Sequence, residues 1–296
     1  MTRGSFIAQA YALAVLVALA GCSKKSDGGD NPNPNGPSGG TSSTVGYTAL
    51  GASDTTGFGS SSPCLPFADC PNGGGYVQRV TRELRGAGKT VNLLNLGIPG
   101  SVVGPEIEGL AKQLGRGSIG NFVERELPFV PRSSTLVTIF GGANDVNVVA
   151  SGISAGMGGG NPQGWGEGFA AGFGRDLNTI VDGVRAKAPN ARILLYNPPN
   201  GAAIPSTSGR SASEKRILQA ISVRFALEAN NLASRGVIVL DLMCDPRSYI
   251  ASNYSDDGFH PSDSGYAFMA EMALNAINAG GAPAPRASCP QMNQVP

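Results

Sequence analysis

Five short apolar runs punctuate the chain: Tyr47–Leu50, Val91–Leu96, Leu136–Phe140, Ile193–Tyr196 and Val237–Leu240. None alternates strictly between apolar and polar positions, which is the pattern of strands covered on both faces. Between the runs, apolar residues recur at near-helical spacing. Trp165, Phe169, Phe173, Leu177, Val181 and Val184 form one stripe; Leu218, Ile221, Phe225 and Leu232 a second; Tyr266, Met269, Ala273 and Ile277 a third. Such stripes are the buried faces of amphipathic helices. Strands alternating with helices predict an α/β fold, a three-layer α/β/α sandwich around a five-stranded parallel sheet of the flavodoxin-like kind. Ligands of such sheets collect beyond the C-terminal strand ends. Chemistry is therefore expected in the residues that directly follow each strand.

The ends of the chain do not carry this pattern. Residues 1–21 read as a leader: Arg3 gives a positive start, and the apolar run Phe6–Ala20 is too short to span a bilayer. The run ends in Leu19-Ala20-Gly21-Cys22, which resembles the bacterial lipoprotein box. That resemblance implies cleavage before Cys22 and acylation of it. Several acyl chains anchor a protein stably where one does not. Ser23, not Asp, follows Cys22, which by the same resemblance points to the outer membrane. An ordinary secretory leader with a coincidental cysteine is the alternative. Residues 22–44 are rich in Gly, Pro, Ser and Asn, the composition of a disordered tether. The folded domain is expected over 45–280, followed by a tail at 281–296.

Composition narrows the partners. The net charge is +1 and charged residues make up 15% of the 296, well below the roughly 25% typical of soluble domains. No basic run tracks a phosphate backbone, so nucleic acid is not an expected partner. Cys64, Cys70, Cys244 and Cys289 remain after Cys22, an even number that in an exported chain suggests disulfides with three pairings open. The local option is Cys64–Cys70; Cys244–Cys289 would then tie the tail to the domain. His260 is the only histidine, which argues against a histidine-based zinc site, and no cofactor is expected. Gly88-Lys89-Thr90 lacks the first glycine of a P-loop, since Glu83 stands there, and it precedes a strand instead of following one. Gly115 to Gly120 matches a dinucleotide pattern but follows a helical stretch, Pro105–Leu114, not a strand.

The strand ends carry four motifs. Gly51-Ala52-Ser53 follows the first strand, where Ser53 is either a helix cap or a nucleophile on a tight turn. Gly97 follows the second, as a turn glycine or a backbone N–H donor to an oxyanion. Gly142-Ala143-Asn144-Asp145 follows the third, where Asn144 is a cap or an amide donor. Asp257-Gly258-Phe259-His260 follows the fifth. There the carboxylate, three residues before the imidazole, can bend back to its Nδ1–H and free Nε2 as a base; a plain surface turn is the other reading. Asp256 is adjacent, but the spacing favours Asp257.

Together, in this order, the four blocks resemble the SGNH (GDSL-type) hydrolase family, over about Val45 to Gly280. The resemblance implies a serine esterase or lipase without cofactor. Ser53 would be nucleophile, His260 general base and acid, and Asp257 its orienting partner. The Ser53 and Gly97 N–H groups and the Asn144 side chain would form the oxyanion hole. One departure stands out: the family's Asp between Gly and Ser is Ala52 here, and Asp54 is a nearby carboxyl that could serve in part. Substrates would be acyl or acetyl esters. A carbohydrate deacetylase, a thioesterase or a non-catalytic glycan- or lipid-binding lipoprotein are the alternatives. The stretches Ser154–Gly164, a Gly-rich flexible loop, and Asn197–Arg210 are expected to form the pocket, an open groove more than an apolar tunnel. Oligomeric state is not encoded in any motif.

Overall fold

The computed structural model describes residues 43–117 and 119–295. The predicted leader, Cys22 and most of the tether lie outside the described residues. Strands β1 (Thr44–Gly51), β2 (Thr90–Asn95), β3 (Leu136–Phe140), β4 (Arg192–Tyr196) and β5 (Ile238–Leu240) form one all-parallel sheet in the order β2-β1-β3-β4-β5. The chain turns outward from β1 to β2 and then crosses to β3 on the other side. The crevice at that reversal, between the C-terminal ends of β1 and β3, is where a ligand of such a sheet sits.

Successive side chains of a strand face opposite ways, and both faces here are covered. On one face Tyr47, Ala49, Tyr196 and Leu240 pack against α1 (Tyr76–Gly86) and, through Tyr266, Met269 and Ala273, against α7 (Asp263–Ala279). On the other, Leu50, Val137, Ile139, Ile193 and Leu195 meet α2 (Pro105–Gln113), α4 (Ala143–Ser154), α5 (Pro162–Lys187) and α6 (Ala212–Asn230). The short α3 (Phe122–Arg125) adds Phe122 to the same core. Burying each large apolar side chain stabilises the fold by about 1.5–3 kcal/mol. Among the described residues, no helix is long and apolar enough to cross a membrane.

Two expectations need correction. Leu232 is buried as its stripe predicts, but it lies in a 3-10 turn (Asn231–Arg235) beyond the end of α6. The Gly-rich run Ser154–Gly164 is a loop only over residues 155–161. Ser154 ends α4, and α5 begins at Pro162, whose N-cap Asn161 accepts the Gly164 N–H at 3.0 Å. Of the run's glycines Gly158 is closely packed, since a Cβ there would stand 3.0 Å from Trp165 Cβ, whereas Gly156, Gly159 and Gly160 have open space beside them.

The four cysteines pair as Cys64–Cys70 and Cys244–Cys289. Beyond the second disulfide the tail lies along α6, where Val295 N–H donates to Gln219 Oε1 at 2.9 Å and Gln219 Nε2 donates back to Val295 O at 3.0 Å.

Candidate active site

Ser53 stands just past β1, in a run of tight turns. The N–H groups of Thr55 and Thr56 return to the carbonyls of Ala52 and Ser53 at 3.2 and 3.1 Å, and each threonine hydroxyl donates to the same carbonyl at 2.7 Å. Ser53 therefore caps no helix: the next one starts at Tyr76. Its hydroxyl points to His260, with Oγ 2.9 Å from Nε2.

His260 arrives from the opposite end of the chain on a turn closed by Ser255 N–H donating to His260 O at 2.8 Å. Gly258 takes φ 68° at the bend, which a side chain would strain. The turn lets Asp257 Oδ2 meet His260 Nδ1 at 2.6 Å. Asp257 Oδ1 accepts from the His260 N–H at 2.9 Å, the Phe259 N–H at 2.8 Å and the Ser255 hydroxyl at 2.9 Å. Burial works to raise the Asp257 pKa, but the His260 ring and these donors outweigh it and hold it at about 2. A carboxylate is thus fixed beside Nδ1, which assigns the proton there and leaves Nε2 to accept from Ser53. Phe58 and Phe259 stand edge-on to the imidazole at 4.6 and 5.0 Å. Pro261-Ser262 also opens a helix, since Ser262 caps α7.

Asn144 lies one residue inside α4, whose N-cap is Gly142 at φ 107°. Its side chain does not cap; Nδ2 donates to Ser101 O at 2.9 Å. That bond ties the third block to the loop after β2. Gly97 in the same loop is placed differently from the sequence expectation. Its N–H already donates to Asn95 Oδ1 at 3.1 Å, and a Cβ there would fall 1.6 Å from Thr55 Oγ1. It is a close-packing glycine. Gly100, three residues on, has φ 86°, is exposed, and has open space on its Cβ side. It lies between Ile98, whose N–H donates to Gly51 O at 3.0 Å, and Ser101, whose carbonyl holds Asn144.

Two buried carboxyls brace these blocks from behind. Glu126, fully buried, accepts the Gly51 N–H at 2.8 Å and lies 3.4 Å from Ser101 Oγ. Burial pushes its pKa well above the usual range, against those donors. Asp145 accepts the Val103 N–H at 2.9 Å and the Gly142 N–H at 3.1 Å, and burial raises it to about 7. Glu126 had no signal in the sequence, because its partner Gly51 is 75 positions away. It places a carboxyl behind the very turn where Ala52 lacks one.

A small hollow is lined by Ala52, Asp54, Ser101, Gly142 and Asn144. It shares Asp54, Phe140 and Ala143 with a much larger cavity of ≈ 280 Å³. Val146, Ala150, Ile204, Leu218 and Met269 give that cavity apolar walls. Asn197–Arg210 contributes to it as expected, through residues such as Pro198 and Ile204, whereas nothing from residues 151–164 does. Asn147, Ser206, Thr207 and Arg210 line it as well, so its walls mix apolar and polar groups.

The profile of the GDSL-like lipase/acylhydrolase family matches residues 49–268, most of the chain. The chain belongs to that family. GDSL-type proteins of this family hydrolyse esters, so the chain is a GDSL-type ester hydrolase. No curated protein matches the chain significantly. Among solved structures it is similar to a lipase from a goat rumen metagenome, at 18% identity and TM-score 0.54, over 78% of this chain and 96% of that one. It is similar to phospholipase A1 from Streptomyces albidoflavus, at 17% identity and TM-score 0.54, over 79% and 98%. An acetyl xylan esterase from Geobacillus stearothermophilus shares 16% identity at TM-score 0.50, over 78% and 95%. At such identities the likeness is one of fold, and this GDSL fold is the parallel α/β sheet described above.

Proposed function

We propose that this GDSL hydrolase cleaves carboxylic esters through Ser53, His260 and Asp257 by way of an acyl-enzyme. The observation that carries the reading is the unbroken relay from Ser53 Oγ to His260 Nε2 and from His260 Nδ1 to Asp257. A serine hydroxyl is a poor nucleophile near pH 7 without such a base. His260 takes the Ser53 proton as Oγ attacks the acyl carbon, then passes it to the departing alcohol. Water repeats the sequence in reverse to free the acid. Asp257 stays a carboxylate and stabilises the imidazolium.

The oxyanion donors in this reading are the Ser53 N–H, the Asn144 side chain and the Gly100 N–H. Gly100 replaces Gly97, whose N–H is already donated. Removing an oxyanion donor reduces kcat by roughly 10²–10³-fold, and Asn144→Ala is expected to do so with little change in KM.

Hydrolysis of p-nitrophenyl acetate to hexanoate tests the whole reading. Ser53→Ala and His260→Ala should each abolish turnover, and the wild-type rate should rise with pH as the base loses its proton. Turnover untouched by Ser53→Ala would remove Ser53 as nucleophile, no turnover on any ester would leave a binding protein, and a flat profile would remove His260 as base. Thioester and acetylated-glycan substrates in the same assay separate the related activities.

The exported, lipid-anchored reading rests on Leu19-Ala20-Gly21-Cys22 and is supported by two disulfides in the folded part, which persist in oxidising compartments. Mass spectrometry of the N-terminal peptide tests it: acyl chains on Cys22 are expected, and an unmodified Cys22 refutes the anchor.

A further inference from the structure

Five large apolar side chains stand strongly exposed among the described residues, and four of them belong to the loops around the reactive end of the sheet. Three fall within ten positions of one another: Phe58, Leu65 and Phe67, at 50, 76 and 62% exposure. The fourth, Ile250, joins the 3-10 turns Pro246–Tyr249 and Ala251–Asn253 that follow β5. Ser262 N–H donates to Asn253 O at 2.9 Å and ties those turns to the His260 turn. The fifth, Phe129, lies elsewhere, on the approach to β3.

The loop that carries the first three is held in shape. Cys64–Cys70 closes it, and Pro63 and Pro66 fix two of its φ angles. Cys64 N–H donates to Thr56 O at 2.7 Å and Phe67 N–H to Asn95 O at 2.8 Å, while Asn95 Nδ2 donates to Thr55 O at 2.7 Å. These bonds fasten the loop to the turn that follows Ser53. Phe67 takes φ 62° and is the one described residue other than glycine in the left-handed region, where a bulky side chain is strained. The fold thus keeps a phenyl ring in water on an unfavourable backbone. Strain of this kind persists where the surrounding structure enforces it, and exposed apolar patches mark interaction sites. No residue from Thr55 to Ala68 is charged.

The position of Phe58 selects what covers this patch. Its ring stands 4.6 Å from the His260 imidazole. A protein seated firmly on Phe58 would therefore cover His260 too and bar an ester from it. A lipid surface carries no such conflict, because it contains the ester. Charges are costly in such a phase, whereas an uncharged loop with Phe and Leu side chains suits the boundary between headgroups and acyl chains.

We infer that Phe58, Leu65, Phe67 and Ile250 form a docking surface for a lipid–water interface, from which the enzyme draws its ester. The assignment rests on the ester-hydrolase reading and adds to it the physical state in which the substrate is met.

Ser42–Pro296 is one compact unit that holds the apolar cores of both sheet faces and both disulfides, so it is tested apart from the leader and Cys22. It should float with phosphatidylcholine vesicles, and Leu65→Ser combined with Phe67→Ser should weaken that binding by about tenfold or more. The ratio of rates on emulsified and on dissolved tributyrin should fall with it. Each ratio is taken within one preparation, so a general loss of rate cancels. No flotation of the unsubstituted domain overturns the inference, and needs no variant to fold. Flotation and rate ratio both unmoved by the two substitutions overturn the role of the loop. Light scattering that shows a dimer, dissociated by the same substitutions, gives the patch to a second copy and overturns the inference as well. Absence of turnover on p-nitrophenyl acetate overturns the hydrolase reading; flotation, which needs no turnover, tells the two failures apart.

Discussion

Gly97 and Gly100 differ in what surrounds them, and the difference decides what a methyl group would do at each. At Gly97 a Cβ would lie 1.6 Å from Thr55 Oγ1 and 2.9 Å from Ala52 O, both fixed in the turn that carries Ser53. Overpacking of this kind costs about 1–3 kcal/mol, so Gly97→Ala should lower the denaturant midpoint with an unchanged m-value. A midpoint equal to wild type would mean that the two loops separate easily. From sequence alone Gly97 was the expected donor, because it follows the second strand directly, and Gly100 carried no separate signal. Which N–H is already donated depends on how the Asn95 side chain folds back, and no spacing rule encodes that. Ser53, Asn144, Asp257 and His260 were legible because each sits at a strand end or next to a helix start, where sheet topology brings positions far apart in sequence together.

The α4 helix shows how one element holds several blocks in place. Its first turn presents Asn144 outward to Ser101 while Asp145 binds the Gly142 and Val103 N–H groups behind it. A free aspartate titrates near 3.9, and burial lifts Asp145 to about 7. The folded state therefore holds this proton more tightly than the unfolded one. Stability from this group declines as pH rises from about 4 to about 7. Asp257 has the opposite sign: its contribution is present above about pH 4 and is lost as pH falls toward 2. Thermal unfolding across pH 4–7 should show the Asp145 component in wild type and not in Asp145→Asn; parallel curves would remove the assignment. Elements were legible where apolar periodicity was strong, as in β3 or α5. The first turn of α5 was not, because Pro162-Gln163-Gly164 continues a Gly-rich run and looks like loop until Asn161 is seen to cap it.

On the scale of the whole molecule, the cavity was the least legible feature. Its walls come from α4, α6, α7, the 197–210 stretch and the 3-10 turns after β5. No contiguous motif describes a space bounded by that many segments. The two disulfides are easier to weigh. Loop entropy assigns about 4 kcal/mol to closing the 45-residue span of Cys244–Cys289 and about 2 kcal/mol to the 6-residue span of Cys64–Cys70. Replacing the first pair by serine should shift the unfolding midpoint further than replacing the second. Equal shifts would mean that the tail contributes through its contacts with α6 and not through the crosslink.

Having a single imidazole turns the protein into its own reporter. In a sample labelled with nitrogen-15 histidine, the aromatic nitrogen spectrum would contain two signals, both from His260 and needing no assignment. Their shifts would read out tautomer and protonation at the reacting base directly, before and during turnover, in a molecule where no second ring competes for the signal.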